Sequence, residues 1–417
     1  MTEQIILRCR GCQAGYPPTL QYACPECLGP LDVEHDPALL AARVDRARIE
    51  AGPRSIWRYA ELLPSRPGQG DLAPGFTPLV EAPRLAAALG VPGPLYLKDD
   101  TRNPTNSFKD RVVAVAVAKA REFGLGTVAC ASTGNLAGAT AAAAAAQGLD
   151  CVVVVPADLE AAKITSAAAF GAVVVAVQGT YDQANRLASQ AAEAFGWGFV
   201  NVNLRPWYAE GSKTVGLEVA EQLGWATPDH VVVPVASGAL LTKVNQGFQA
   251  LGAAGLVEPA PWRVHGAQSD GCAPVASAFA EGRDDVRPVK PSGIVKSLAI
   301  GDPADGVEAL QVVRGSGGRL EAVGDGEVVD AIGLLARTTG ILGETAAGVT
   351  VATVARLARQ GAFQRGERVV ALVTGHGLKT REVLDAQLGA TVTVRPNIDA
   401  LEAALEPVQP DLLAAAR

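Results

Sequence analysis

The 417-residue chain is short of positive charge. Its 36 lysines and arginines stand against 43 aspartates and glutamates, for a net charge of −7 and a pI near 5.3. That balance offers no basic field for nucleic acid or an acidic lipid surface, so small molecules or another subunit are the expected partners. Long apolar runs are missing as well. None approaches the roughly 18 residues that span a bilayer, and the N-terminal MTEQIILRCRGC has no basic-then-apolar signal pattern. A cytoplasmic protein without membrane contact is expected. No GxGxxG or GxxxxGKS/T fingerprint occurs, which leaves dinucleotide and P-loop readings without support. The four histidines, at 35, 230, 265 and 376, show no metal-ligand spacing, and no GxSxG elbow accompanies them, so serine hydrolysis and histidine-bound metal chemistry are not expected.

Seven cysteines, an odd number with four clustered, suit a reducing compartment better than a disulfide framework. Cys9, Cys12, Cys24 and Cys27 read CxxC, eleven residues, CxxC, with Gly11, Pro17, Pro18, Pro25 and Gly29 supplying turns. Four thiolates at this spacing close a tetrahedral zinc site with no position left for substrate, so the expectation is a structural zinc ribbon. Catalytic metal and redox use are the alternatives. Cys130, Cys151 and Cys272 lie among apolar or small residues and receive no role.

With 48% hydrophobic residues and 45 glycines the chain can bury a large core, and one catalytic unit of two lobes with small appendages is expected. Beyond a Pro- and Gly-rich connector at 52–78, short Val-rich runs alternate with Ala-rich helical ones, the α/β pattern. The candidate strands are 96–100, 127–132, 151–156, 172–177, 230–236, 262–267 and 368–374. Their near-continuous valine fits strands of a parallel sheet buried on both faces.

Ligands of such a sheet bind beyond the carboxyl ends of its strands, and four loops there stand out. In TRNPTNSFKDR (101–111), a turn-forming stretch delivers Lys109 to the first turn of an apolar helix. There the helix dipole and unpaired amides favour the uncharged, nucleophilic amine, as in a lysine that forms a Schiff base with a carbonyl cofactor. The strand at 127–132 runs into TGN (133–135) and an Ala-rich helix whose first amides can hold a carboxylate or phosphate, with Asn135 adding a side-chain hydrogen bond. The strand at 230–236 runs into SGALL, where Ser237, Gly238 and Ala239 allow close backbone approach, as a phosphate cup requires; an ordinary strand–helix turn is the alternative. The strand at 368–374 ends in Thr374, whose hydroxyl can meet a heteroaromatic nitrogen. His376, between two glycines, stays unassigned.

NPTNSFKDR, ASTGN, YAEGSKT, PVASGALL and VTGHGLK, in that order and over nearly the whole chain, resemble the pyridoxal-phosphate enzymes of the tryptophan synthase β fold, the threonine synthases above all. Some of those also carry an N-terminal four-cysteine ribbon. The resemblance implies a two-lobed fold type II α/β enzyme: a zinc ribbon over 1–40, and a catalytic pyridoxal-phosphate domain over 41–417 with a mobile small lobe at about 113–212. It implies Lys109 as the cofactor lysine, Asn135 at the ring hydroxyl, Thr374 at the pyridine nitrogen, and Ala236, Ser237, Gly238, Ala239 and Leu240 around the cofactor phosphate. The substrate carboxylate then falls to Ser132, Thr133, Gly134 and Asn135, and the leaving phosphate to Ser107, Arg205 and Lys213, although Lys213 and Lys243 also read as solvated charges. The implied reaction turns O-phospho-L-homoserine and water into L-threonine and phosphate, in a homodimer. Sulfite replacement on O-phosphoserine and dehydration of serine or threonine would use the same three cofactor residues. Outside catalysis the alternatives are a cofactor-binding regulator without activity and a zinc-ribbon nucleic-acid protein, the latter disfavoured by the acidic charge.

Overall fold

Valine is stiff at χ1 and packs well on a pleated surface, so runs such as CVVVVP and HVVVP take the central positions of two parallel sheets. The computed structural model describes residues 5–36, 40, 42–132, 134–157, 161–179, 181–385 and 391–407. All seven expected strands are present, with boundaries shifted by one or two residues. Three short antiparallel strands form a ribbon sheet of order β2-β1-β3: β1 (Ile5–Cys9), β2 (Gly15–Tyr16) and β3 (Leu31–His35).

The larger sheet contains β4 (Leu79–Glu81), β5 (Leu95–Asp99), β10 (His230–Pro234), β11 (Arg263–Ser269), β12 (Leu320–Val323) and β13 (Val369–Val373), in the order β12-β11-β10-β13-β5-β4. Every pairing is parallel except that of β4 with β5. The smaller sheet, of order β8-β7-β6-β9, is parallel throughout: β6 (Thr127–Ala131), β7 (Asp150–Pro156), β8 (Val173–Val177) and β9 (Gly198–Phe199). β10 and β13 are buried along their whole length. Each valine removed from water there contributes about 1.5–3 kcal/mol.

Seven helices bear on the site: α1 (Lys109–Glu122), α2 (Asn135–Gln147), α3 (Arg205–Glu210), α4 (Lys213–Gln222), α5 (Ala239–Ala253), α6 (Gly306–Gly315) and α7 (Thr345–Arg359). Buried residues of α4, α5, β10 and β13 share one core; those of α1, α2, β6 and β7 share another, which the ribbon joins through Leu7, Leu31 and Val33. The connector at 52–78 is better ordered than its composition suggests. Its 3₁₀ stretch Ile56–Leu62 buries Ile56, Trp57, Tyr59 and Leu62. These belong to a compact unit, Met1–Thr380; a second unit, Arg381–Arg417, contains the helix Ile398–Leu405, capped by the Asn397 side chain. Among the described residues no helix is long and apolar enough to cross a membrane.

Candidate active site

Three neighbouring strands, β10, β13 and β5, end in the three loops that carry the expected chemistry, so sheet order alone brings those loops side by side. After β5 the chain makes a 3₁₀ turn at Asp100–Arg102 and reaches Asn106 at φ +60°, the left-handed region that asparagine tolerates better than other side-chain-bearing residues. Ser107 then bridges Gly375, the Phe108 N–H donates to the Thr374 carbonyl at 2.8 Å, and the His376 N–H donates to the Asn106 carbonyl at 3.1 Å. The lysine loop and the end of β13 are thereby sewn together. The helix starts at Lys109, not at Ser107, and its amine lies half-buried, donating to the Tyr208 hydroxyl at 3.1 Å. The Asp110 carboxylate accepts from the Thr105 N–H and hydroxyl at 2.9 and 2.7 Å and holds the loop over the helix start.

Across from the lysine loop, Asn135 opens α2 and donates through Nδ2 to both oxygens of Glu344, at 2.9 and 3.1 Å. The Glu344 N–H donates to the Gly375 carbonyl, and a Cβ at Gly375 would collide with the Glu344 carboxylate. Glu344 therefore joins Asn135 to the loop after Thr374. Sequence reasoning passed over it: its signal is one acidic residue ahead of the apolar helix α7. Ser132 is already engaged, accepting from the Gly134 and Ala137 N–H groups at 3.1 and 3.2 Å. Thr133 lies outside the described residues.

The turn after β10 is shaped for a close ligand. Gly238 sits at φ +98°, and a Cβ there would stand 2.5 Å from the Asp305 carbonyl. The first-turn amides of α5 have no intrahelical partner, and Leu240, Phe108 and Thr374 border a gap too small for a water molecule. Ser107 Oγ is fully buried and unpartnered. Free first-turn amides beside a close backbone at Gly238 are what an anion requires.

The two cations expected at a leaving phosphate are already matched. Arg205 pairs with Asp305 at 2.6 Å, and Lys213 pairs with the buried Glu210. Burial lowers the Lys213 ammonium, opposed by the Glu210 charge. Lys243 is fully buried between Glu210 and Asp32, at 2.8 and 3.0 Å, which overturns its reading as a solvated charge; Lys213 is buried too. Lys379, within the VTGHGLK segment, was missed. Burial lowers its ammonium against the charges of Glu344 and Asp110, and its side chain makes no hydrogen bond or salt bridge among the described residues.

At the ribbon, the Sγ atoms of Cys9, Cys12, Cys24 and Cys27 all lie within 4.8 Å of one another, with Cys9 and Cys27 3.4 Å and Cys12 and Cys24 3.6 Å apart. A tetrahedron with zinc–sulfur bonds of about 2.3 Å has edges of about 3.8 Å, so the donor set suits zinc. None of the seven cysteines is in a disulfide, and burial pushes the Cys151 thiol up to about 12, in keeping with an inert role.

The family model described as pyridoxal-phosphate dependent enzyme matches residues 71–375. The chain is 36% identical over 380 residues to a threonine synthase of Methanocaldococcus jannaschii, covering 90% of this chain and 93% of that one. It is 35% identical over 402 residues to a threonine synthase of Methanosarcina acetivorans, covering 96% and 98%. Among solved structures it resembles the processed form of threonine deaminase isoform 2 from Solanum lycopersicum, with a TM-score of 0.64 and 21% identity over 84% of this chain and 89% of that one. That likeness concerns the fold.

Proposed function

The chain belongs to the pyridoxal-phosphate-dependent enzymes and, within them, to the threonine synthases, and from this premise we propose that it is a lyase converting O-phospho-L-homoserine and water to L-threonine and phosphate. The observation that carries the reading is that β5, β10 and β13 are neighbours in one sheet, so the loops after them lie side by side, with the lysine loop hydrogen-bonded to the end of β13.

The residues fit pyridoxal phosphate. The close backbone at Gly238 suits its phosphate end, with Ala236, Ser237, Gly238, Ala239 and Leu240 as the cup. Thr374 would face the pyridine nitrogen, and Asn135, oriented by Glu344, the ring hydroxyl. When bound, the cofactor supplies an electron sink for charge developing at the substrate's carbons. Lys109 would hold it through the ε-amine, and the same amine would move protons at the α and β carbons of the substrate. The Tyr208 hydroxyl keeps that amine on station. Ser132, Thr133, Gly134 and Asn135 take the substrate carboxylate, where the α2 dipole favours an anion. Ser107, Arg205 and Lys213 remain the candidates for the leaving phosphate, and Lys379 joins them as the cation with least compensation.

Zinc at Cys9, Cys12, Cys24 and Cys27 would be structural, since four protein thiolates leave no open position. The expected setting is a cytoplasmic homodimer without nucleic-acid partners, with the ribbon over 1–40, the catalytic domain over 41–417 and a mobile small lobe at about 113–212. Incubation with O-phospho-L-homoserine, following phosphate release and the amino-acid product, tests the activity. Stoichiometric threonine, absent in Lys109→Ala, is expected. Phosphate release from O-phosphoserine alone, with sulfite present, would replace the substrate assignment.

A further inference from the structure

The ribbon reaches into the catalytic body through two of its side chains, and both end at the site. Arg10, next to the ligand Cys9, pairs with Asp32 of β3 and crosses to Asp305 at 2.6 Å and Glu308 at 2.5 Å. The Asp305 side chain is 1% exposed, and its other oxygen takes Arg205 at 2.6 Å. The Asp305 N–H donates to the Ser237 carbonyl at 2.8 Å, and its carbonyl is the group that forbids a Cβ at Gly238. One buried residue thus joins the ribbon and α3 through its carboxylate and the phosphate cup through its backbone. The second route runs from Asp32 to Lys243 on α5, from there to Glu210, and from Glu210 to Lys213. Glu210 ends α3, the helix that carries Tyr208.

We propose that the four-cysteine ribbon is a positioning element of the active site: by fixing Arg10 and Asp32 it sets the phosphate cup at Ser237 and Gly238 and the helix that presents Tyr208 to Lys109. The cost of leaving a buried charge unmatched supplies the coupling. Asp305, Lys243 and Glu210 are taken out of water; Arg10 and Asp32 of the ribbon hold the first two, and Lys243 passes the constraint on to Glu210. If the knuckle between Cys9 and Cys12 loosens, Arg10 withdraws. Asp305 then keeps Arg205 as its cation and is free to shift toward it, and the turn at Ser237 shifts with it. Arg8 supplies an internal contrast. It lies one residue before Cys9 but pairs with Glu34 at the surface of the ribbon, and among the described residues it makes no ion pair with the catalytic body.

This inference rests on cofactor binding at the cup. Its test compares wild type, Arg10→Ala, Arg10→Lys and Arg8→Ala, each purified with zinc and pyridoxal phosphate. The dissociation constant of the cofactor is measured by fluorescence, and the ³¹P resonance of its bound phosphate is recorded. Arg10→Ala is expected to weaken cofactor binding by about tenfold, typical of coupling between sites, and to move the resonance, with Arg10→Lys between it and wild type and Arg8→Ala at wild type. Removing zinc from wild type with a chelator, the released metal counted by a zinc dye, is expected to reproduce the Arg10→Ala values, and to add little in that variant. The metal arm keeps the test decisive if Arg10→Ala does not fold. Unchanged affinity and resonance in Arg10→Ala and in zinc-stripped wild type would overturn the proposal, as would an equal loss in Arg8→Ala. Wild-type protein that takes up no cofactor on Lys109 after borohydride reduction would overturn the functional reading and this one together.

Discussion

Two buried ionic clusters flank the site, one behind Lys109 and one behind Tyr208, and they are made of different material. Behind Lys109, Arg111 on α1 is matched by Asp100 at 2.7 Å and Glu218 at 2.5 Å, and Lys98 adds a contact to Glu218 at 2.6 Å. Each of these side chains is at most 4% exposed, and all come from the catalytic body. Behind Tyr208, Arg10 and Asp32 are contributed by the ribbon and are 21% and 19% exposed. The sealed cluster can only be broken by breaking the fold. The other can be adjusted from outside, because part of its charge arrives on a small, partly exposed element.

Arg111→Met should give the largest effect. It leaves Asp100 and Glu218 buried with fewer cations, a loss of about 3–5 kcal/mol in urea unfolding with the slope unchanged. A loss no larger than that of Arg10→Ala would erase the distinction between the clusters.

Acid should separate them next. The Arg111 and Lys98 charges, working against burial, hold the Glu218 carboxyl down at about 2. Its folded value lies below the unfolded one, so its contribution, on the order of 3 kcal/mol, is complete above about pH 4.5 and lost as pH falls through 2. On the ribbon side, burial and then the Lys213 charge lower His35 to about 4. The unfolded state binds that proton first, so stability there is present above about pH 6.5 and falls between 6.5 and 4. Cofactor release measured against pH should begin in the upper window, before global unfolding. Release that coincides with unfolding near pH 2 would sink the idea.

Much of this was legible in the chain and some was not, for a physical reason. Short-range signals carried the strands, the lysine loop, the turn at Gly238 and the four-cysteine knuckles, because each depends on neighbours in sequence. The charge matching was invisible. Lys243 read as a solvated charge as readily as a functional one, since nothing near it in sequence says that Asp32, 211 residues away, will meet it. His230 and His265 show no metal spacing, yet parallel register sets their ring nitrogens 2.9 Å apart. The His265 Nδ1 accepts from the Arg319 N–H, so its Nε2 donates to His230, which in turn donates to Glu367 at 2.8 Å. The pair is a hydrogen-bonded relay between neutral rings. Glu344 and Lys379 were missed for the same cause.

Asp32→Asn probes the open cluster more gently. The amide keeps the shape, but Lys243 retains Glu210 as its one carboxylate, and a charge-assisted hydrogen bond lost at a partly exposed site is worth about 1–3 kcal/mol. The unfolding midpoint should fall by less than in Arg111→Met, while threonine formation at fixed cofactor falls. A stability loss with unchanged activity would make the ribbon a prop and nothing more.

Tyr208→Phe should have the smallest effect, and it tests where the two clusters meet. The ring remains, with the Lys109 amine 5.7 Å from its centroid, so packing and the cation–π contact survive, and only the hydroxyl that accepts from that amine is lost. One such bond is worth about 1 kcal/mol, which corresponds to a roughly fivefold lower kcat with KM little changed if the hydroxyl acts on proton movement rather than on binding. Combined with Arg10→Ala, the change distinguishes the two routes from the ribbon. If the ribbon acts through α3 and its tyrosine, the double variant loses less in kcat than the product of the single losses, because the hydroxyl that Arg10 helps to place is already gone. If it acts through the cup alone, the kcat losses multiply and the cofactor dissociation constant of the double variant equals that of Arg10→Ala.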